Sequence, residues 1–323
     1  MATMADDVRI AAAEEATEGT LVTGAYEKMR LNSESVSQQQ NSVESAELNA
    51  ARAQTDEIRA GASVSGSIET YAIMNDTLRL FFKSLLGSNE SGETHKLGTY
   101  LTTFSLEKQI PRNGTALYDY QRYTGLSVNS CQISMAPNEP ITFSWGMIGG
   151  GMTLAADSST GGDAEAGASY TEPDPADADA PPMRADGLTL DWGSELGALD
   201  TGVCTGMTID INSNNREIEQ LGTFDGKVGL GKFSARISCT YLFESNLVLD
   251  KLISGATTSL DVTLADSMTT PSTWLFDFAK VKIAQATVVT PATGSDVVVE
   301  FEAVAIAAAI GSNTLQITST ESN

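Results

Sequence analysis

Two long stretches of this chain alternate apolar and polar residues, and both slip phase by one residue at the same point. In the first, Leu126 and Val128 share a face, after which Cys131, Ile133 and Met135 resume the apolar pattern one residue late. In the second, Val281 and Ile283 are followed by Ala286 and Val288 with the same slip. Period-two alternation marks a half-buried strand. A single-residue slip within it marks a β-bulge, which bends the strand and sharpens its twist. A chain that writes the same bent strand twice is constrained to a β fold used twice.

The flanking segments repeat in the same order. Val64, Gly66, Ile68, Thr70 and Ala72 alternate with Ser65, Ser67, Glu69 and Tyr71. Phe233, Ala235, Ile237, Cys239 and Tyr241 alternate with Ser234, Arg236, Ser238 and Thr240. Each run leads into a short amphipathic segment, DTLRLFFKSLLG or SNLVLDKLISG, read as a helix closed by Gly87 or Gly255 at its C-terminal cap. Upstream, YEKMRLNS pairs with GMTIDINS; Met29 and Leu31 match Ile209 and Ile211, and both segments end in Asn-Ser (Asn32-Ser33 and Asn212-Ser213). Downstream, Ile141, Phe143, Trp145 and Met147 pair with Val299, Phe301, Ala303 and Val304, and each copy closes on Thr-Leu, at Thr153-Leu154 and Thr314-Leu315. The organisation read from this is an N-terminal arm at 1–20, as a short helix or a flexible extension that orders against a neighbour. A first copy follows at 21–157, then an acidic linker at 158–186 and a second copy at 187–323. The first copy carries a polar insertion at 35–57, longer than a tight turn requires, read as an extended hairpin or a mobile loop.

Composition narrows the function classes. Among 323 residues, 42 Asp and Glu face 19 Lys and Arg, for a net charge of −23. Sequence-specific nucleic-acid binding needs cations against phosphates, so this balance argues against it. An acidic surface can serve DNA by repelling it, letting it pass without sticking. Much of the excess lies in the linker, in Asp157, Asp163, Glu165, Glu172, Asp174, Asp177, Asp179 and Asp186. Three widely spaced cysteines, Cys131, Cys204 and Cys239, form no CxxC and fit neither a disulfide framework nor a zinc site. They read as buried, reduced thiols. The start MATMADDVRIAAAEEATEG has acids where a secretory signal needs basic and then apolar residues. No apolar run approaches the roughly 20 residues of a spanning helix. The expectation is a chain made and kept in a reducing cytoplasm, with no membrane insertion.

Catalytic, cofactor and metal motifs are weak. His95, the single histidine, sits in the polar run SGETHKLG and reads as a solvated loop residue rather than part of a triad. Asp174, Asp177 and Asp179 lack the Gly and terminal Glu of a calcium loop, and Pro173 and Pro175 interrupt them. Gly149-Gly150-Gly151 is followed by neither Lys nor a helix start, so it reads as a turn rather than a phosphate cradle. Trp145, Trp192 and Trp274 have no basic neighbours that would make a stacking platform for single strands. No enzyme, cofactor or metal is expected.

The segments 122–154 and 204–255 together resemble the major tail tube proteins of long-tailed bacteriophages. What carries the resemblance is the order of elements: strand, polar loop, alternating strand, short helix, bulged strand and hairpin partner. It covers most of the chain from about Ala25 onward. It implies a mostly β fold, each copy a small β-sandwich or half-barrel with a flanking short helix, whose inner sheets close across subunits into one β-barrel around a channel. Rings then stack into the hollow tube that conducts phage DNA. Most family members carry one such fold and form rings of six; a duplicated chain implies a trimer with pseudo-six-fold symmetry, with a hexamer as the alternative. The lumen should be polar and acidic, and Glu69, Asp210, Glu300 and Glu302 are its candidates. Gln38, Gln39, Gln40, Asn41, Glu44 and Glu47, in the long polar insertion, are the candidates for contacts between stacked rings. Further implied partners are a tape-measure protein and DNA in the lumen, without tight binding, and tail terminator and tip proteins at the ends. The competing reading from another class is a secreted or surface β-sandwich binding module, for example for carbohydrate.

Overall fold

The computed structural model describes residues 8–22, 26–45, 56–89, 92–112, 117–156, 170–171, 180–221, 223, 225–290, 292–309 and 312–321. In chain order the first half gives β1 (Arg9–Glu14), β2 (Tyr26–Lys28), β3 (Ser33–Glu34), β4 (Ser37–Glu44), β5 (Glu57–Tyr71), α1 (Asp76–Leu86), β6 (Thr94–Lys96), β7 (Phe104–Pro111), β8 (Tyr118–Met135), β9 (Thr142–Gly149) and β10 (Gly151–Ala156). After β11 (Tyr170–Thr171) the second half gives β12 (Leu188–Asp191), α2 (Gly193–Leu196), β13 (Cys204–Asn212), β14 (Arg216–Ile218), β15 (Lys227–Gly229), β16 (Ser234–Leu242), α3 (Leu247–Ser254), β17 (Thr257–Ala265), β18 (Thr273–Val289), β19 (Val298–Ala305) and β20 (Gln316–Thr320). The fold is mostly β, as the alternation predicts.

Each half turns on one long strand that belongs to two layers. The start of β8 pairs with β7 and β10 in an outer layer, and its end pairs with β9 and β13 in an inner sheet. β18 repeats this, pairing first with β17 and β20, then with β19. The bulges lie where the phase slips put them. The β8–β9 ladder shifts between Val128 and Ser130, leaving Asn129 extra, and the β18–β19 ladder shifts between Ile283 and Gln285, leaving Ala284 extra. A second matching pair of breaks falls between Phe104 and Leu106 on β7 and between Thr258 and Leu260 on β17. Shared bulges at both places give the two halves one ladder.

That ladder corrects the residue matching read from the sequence. Anchored on the bulges, Phe143 corresponds to Val299, Trp145 to Phe301 and Met147 to Ala303. Through those pairs, Val64 matches Ala235 and Ile68 matches Cys239, two residues from the expected match. Leu154, opposite Gln121, matches Ile317, opposite Phe276. The counterpart of β13 is Glu34–Gln39 rather than the segment at Tyr26, because Glu34 faces Ile68 as Met207 faces Cys239. A slip of two residues keeps every side chain on its face, so alternation alone cannot detect it. The shared Asn-Ser pair was a coincidence of composition.

Other local expectations resolve as follows. Arg9–Glu14 is a strand between β2 and β7, not a helix or free arm, and β12 on β17 is its counterpart. It is fastened by the buried Glu15 carboxylate, which accepts from the Gly19 and Gly125 amides, both at 2.8 Å, from Thr103 Oγ1 at 2.9 Å and from Ser105 Oγ at 2.7 Å. Helix α1 starts on Asn75, whose Oδ1 accepts from the Leu78 amide at 2.8 Å. Gly87 and Gly255 close α1 and α3 in the left-handed conformation, as expected. His95 is not a solvated loop residue; it is 3% exposed on β6, paired opposite Ile317 of β20. Of the linker acids, Asp186 lies on a short turn beside Arg184, and the other seven fall outside the described residues.

The core sits between the layers. Phe82 of α1 packs edge-on against Phe143 and Trp145 of the inner sheet, and on its other side against Trp274 and Phe276 of β18. Trp274 Nε1 donates to the Ile73 carbonyl at 3.0 Å, tying the second half to the first.

Candidate assembly site, an open-edged sheet with one polar face

The inner sheet runs β4, β5, β9, β8, β13, β16, β19, β18 without interruption, four strands from each half. Period-two alternation sorts its side chains cleanly. Ile68, Trp145, Ile133, Ile209, Ile237 and Phe301 point into the core and are buried. Their neighbours Ser67, Glu69, Ser144, Gln132, Arg236, Ser238, Glu300 and Thr287 stand exposed on the other side. A trough of about 470 Å³ opens on that polar side, lined among others by Thr208, Ser238, Thr240, Thr287, Glu300 and Glu302.

All four acids singled out in the sequence fall on polar phases of this one sheet. Glu69 and Glu300 are exposed, and Ser33 Oγ donates to Glu69 at 3.4 Å. Asp210 is half-buried and accepts from Gln132 Nε2 at 2.7 Å. Glu302 is half-buried and ion-paired with Arg236. Arg236 and Gln132 were missed as partners. Both lie on the polar phases of their runs, but their proximity to the acids depends on the β16–β19 and β8–β13 pairings. Beneath the sheet, burial pushes the Cys131 thiol well up, with the Asp210 charge adding to it, and burial does the same to Cys239. Both are therefore neutral, inert thiols.

The long polar insertion forms a β4–β5 hairpin over its described part. Gln39, Gln40, Asn41 and Glu44 are exposed on it, Gln38 is half-buried, and Glu47 lies outside the described residues. Among its described residues the apolar cross-strand pair is Val43 opposite Ile58, 56% and 54% exposed.

The sheet's two ends differ from its middle. At the middle, Ser130–Ser134 of β8 is paired on both sides, with β9 and with β13. The matching stretch of β18, Gln285–Val289, pairs with β19 alone among the described strands. At the other end β3 and β4 pair with β5 alone among the described strands. The contrast extends to packing. Cys131 and Ile133 are buried, whereas their counterparts Ala286 and Val288 are half-buried. The helix caps align Leu85, 1% exposed, with Ile253, 83% exposed. An open strand edge beside exposed apolar side chains is a template for another chain.

Among the described residues no helix is long and apolar enough to cross a membrane. No curated relative matches the chain. A family model described as phage tail tube protein matches residues 5–319.

Proposed function

The chain belongs to the phage tail tube protein family, a structural family of the virion tail whose members assemble into the tube, and from that premise we propose that it closes three to a ring. Each chain supplies two of six similar sectors. The observation that carries this reading is the continuous inner sheet, built equally from both halves and, among the described residues, unpaired at both ends. Joining such ends between chains pairs every edge, which a β structure otherwise must protect.

In this reading the polar face of the sheet lines the lumen, with Glu69, Asp210, Glu300 and Glu302 carrying its negative charge and Arg236 holding Glu302. An acidic wall repels phosphates and keeps DNA moving, where a basic wall would bind it through counterion release. The hairpin that carries Gln38, Gln39, Gln40, Asn41, Glu44 and Glu47 contributes to stacking. A tape-measure protein and then DNA occupy the lumen, terminator and tip proteins finish the ends, and assembly takes place in the host cytoplasm.

Negative-stain microscopy of the purified protein tests the reading. Rings or hollow rods are expected; isolated monomers at high concentration would instead favour a β-sandwich binding module. Replacing residues 45–56 by a two-residue turn should leave rings that do not stack, and tubes of normal length from that variant would remove the hairpin from the stacking contact.

A further inference from the structure

The seam inside the chain is a template for the seam between chains. We infer that Gln285–Val289 of one chain pairs antiparallel with Val36–Gln39 of the next in one register, and that the next chain's hairpin covers Ile253. This inference rests on the ring reading above and adds to it which segments meet and how.

At the internal seam, Ile133 lies opposite Ile209, Gln132 opposite Asp210 and Ser130 opposite Asn212. The matched bulges carry Ser130 to Gln285, Gln132 to Thr287 and Ile133 to Val288. The ladders on β5 and β16 carry Ile209 to Val36, Asp210 to Ser37 and Asn212 to Gln39. Between chains, Val288 therefore faces Val36, Thr287 faces Ser37, and Gln285 faces Gln39. The transfer used backbone pairing alone. On the core side it sets Val288 against Val36 and Ala286 against the half-buried Gln38; on the polar face Gln285 and Thr287 meet Gln39 and Ser37, and Val289 meets Ser35. A register wrong by one residue would instead set the buried Val36 against Thr287 or Val289 of the polar face. In the single chain, Tyr123 Oη donates to the Val36 carbonyl at 3.1 Å and the Val36 amide donates to Glu34 Oε2 at 3.1 Å, so side chains hold these two backbone groups before a neighbour arrives.

The bulge residue and the helix end complete the seam. Inside the chain, the Ser213 amide donates to the Asn129 carbonyl at 2.8 Å, and Ser213 Oγ donates to the Leu85 carbonyl at the end of α1. The same transfer carries Asn129 to Ala284, Leu85 to Ile253 and Ser213 to Gln40. The Gln40 amide of the next chain then meets the Ala284 carbonyl, and its hairpin lies over Ile253. The exposed Val43–Ile58 pair follows three residues further along that hairpin. This divides the polar insertion: its base at 36–40 closes the ring, and its outer part remains for stacking.

Directly opposed Cβ atoms of an antiparallel pair lie about 4.5–5.5 Å apart and diagonal ones roughly 7–8 Å, so a disulfide reads the register. The double variant Ser37→Cys/Thr287→Cys, with both sites exposed on the polar face, should form covalent chains on mild oxidation of assembled protein. Non-reducing gels should show two- and three-chain species and nothing larger; the wild type and each single variant should show neither. Crosslinking through Ser35→Cys/Thr287→Cys but not Ser37→Cys/Thr287→Cys, in preparations whose rings are seen by microscopy, would overturn the register. A ladder reaching six chains would overturn the three-chain count. Absence of rings from wild-type preparations would overturn the tube reading on which both depend.

Discussion

Leu85 and Ile253 occupy the same place on the two helices, one covered within the chain and the other awaiting cover, so the same substitution should act on different equilibria. Lysine suits both sites electrostatically, since a cation is favourable near a helix C-terminus. At Ile253, 83% exposed, Ile253→Lys should change the stability of the isolated chain by no more than about 0.5 kcal/mol, the range for surface sites. Covering an isoleucine contributes about 1.5–3 kcal/mol. Each seam should therefore weaken by about ten- to a hundredfold, at about 1.4 kcal/mol per tenfold. At Leu85, 1% exposed, truncation alone costs about 2–5 kcal/mol, and burying an unpaired ammonium adds to it. Against a typical stability of about 5–15 kcal/mol, Leu85→Lys should unfold much of the protein or move its denaturation midpoint far down. Urea denaturation of dilute protein measures the first effect, and sedimentation across a concentration series measures the second. Ile253→Lys protein that assembles at the wild-type concentration would refute the reasoning, as would a Leu85→Lys chain as stable as the wild type.

Two further expectations concern charges outside the seam. Asp261 stands between Asp191 and Asp277 on neighbouring strands, and its carboxyl is pushed up by burial first, then by the charges of Asp277 and Asp191. A carboxyl whose folded value is raised stabilises the fold below its unfolded value and loses that contribution as pH rises through the folded value. Asp261→Asn should therefore raise the melting temperature at pH 7, by an amount equivalent to roughly 0.2–1 kcal/mol, and make little difference near pH 3; an unchanged or lower melting temperature at pH 7 would refute this. Arg122 and Glu107 form an ion pair whose side chains are 2% and 0% exposed. Arg122→Met should cost about 3–5 kcal/mol by removing the buried carboxylate's ion-pair partner, and adding Glu107→Leu should recover much of it. Equal losses in the single and double variants, measured by urea denaturation, would contradict the role given to the pair.

What the sequence disclosed, and what it hid, follows from the range of the interactions involved. The bulges at Asn129 and Ala284 were legible because a phase slip is a local event in one strand. The caps at Gly87 and Gly255 follow from the conformational demands of helix ends. The placement of the four acids on polar phases was equally local. Ladder partners were not legible. The match of β13 to Glu34–Gln39 depends on the pairings of β5 and β16, and period two is blind to the two-residue slips between β5 and β16 and between β9 and β19. His95 looked solvated because its neighbours are polar, yet β20 covers it from more than 200 residues away. The partnership of Glu302 with Arg236 depends on the β16–β19 pairing in the same way. The second pair of bulges, Thr124–Gly125 of β8 opposite Ser105 and Ala279–Lys280 of β18 opposite Ser259, lies just upstream of the alternation that begins at Leu126 and Val281.

In the proposed ring, a repeated fold within one chain halves the number of chains. Native mass measurement of rings released from the wild-type protein tests it most directly. A three-chain ring should have a mass three times the 34.0 kDa of a single chain. A ring of six chains would contradict it, because the two halves of each chain could not then both lie in one six-sector barrel.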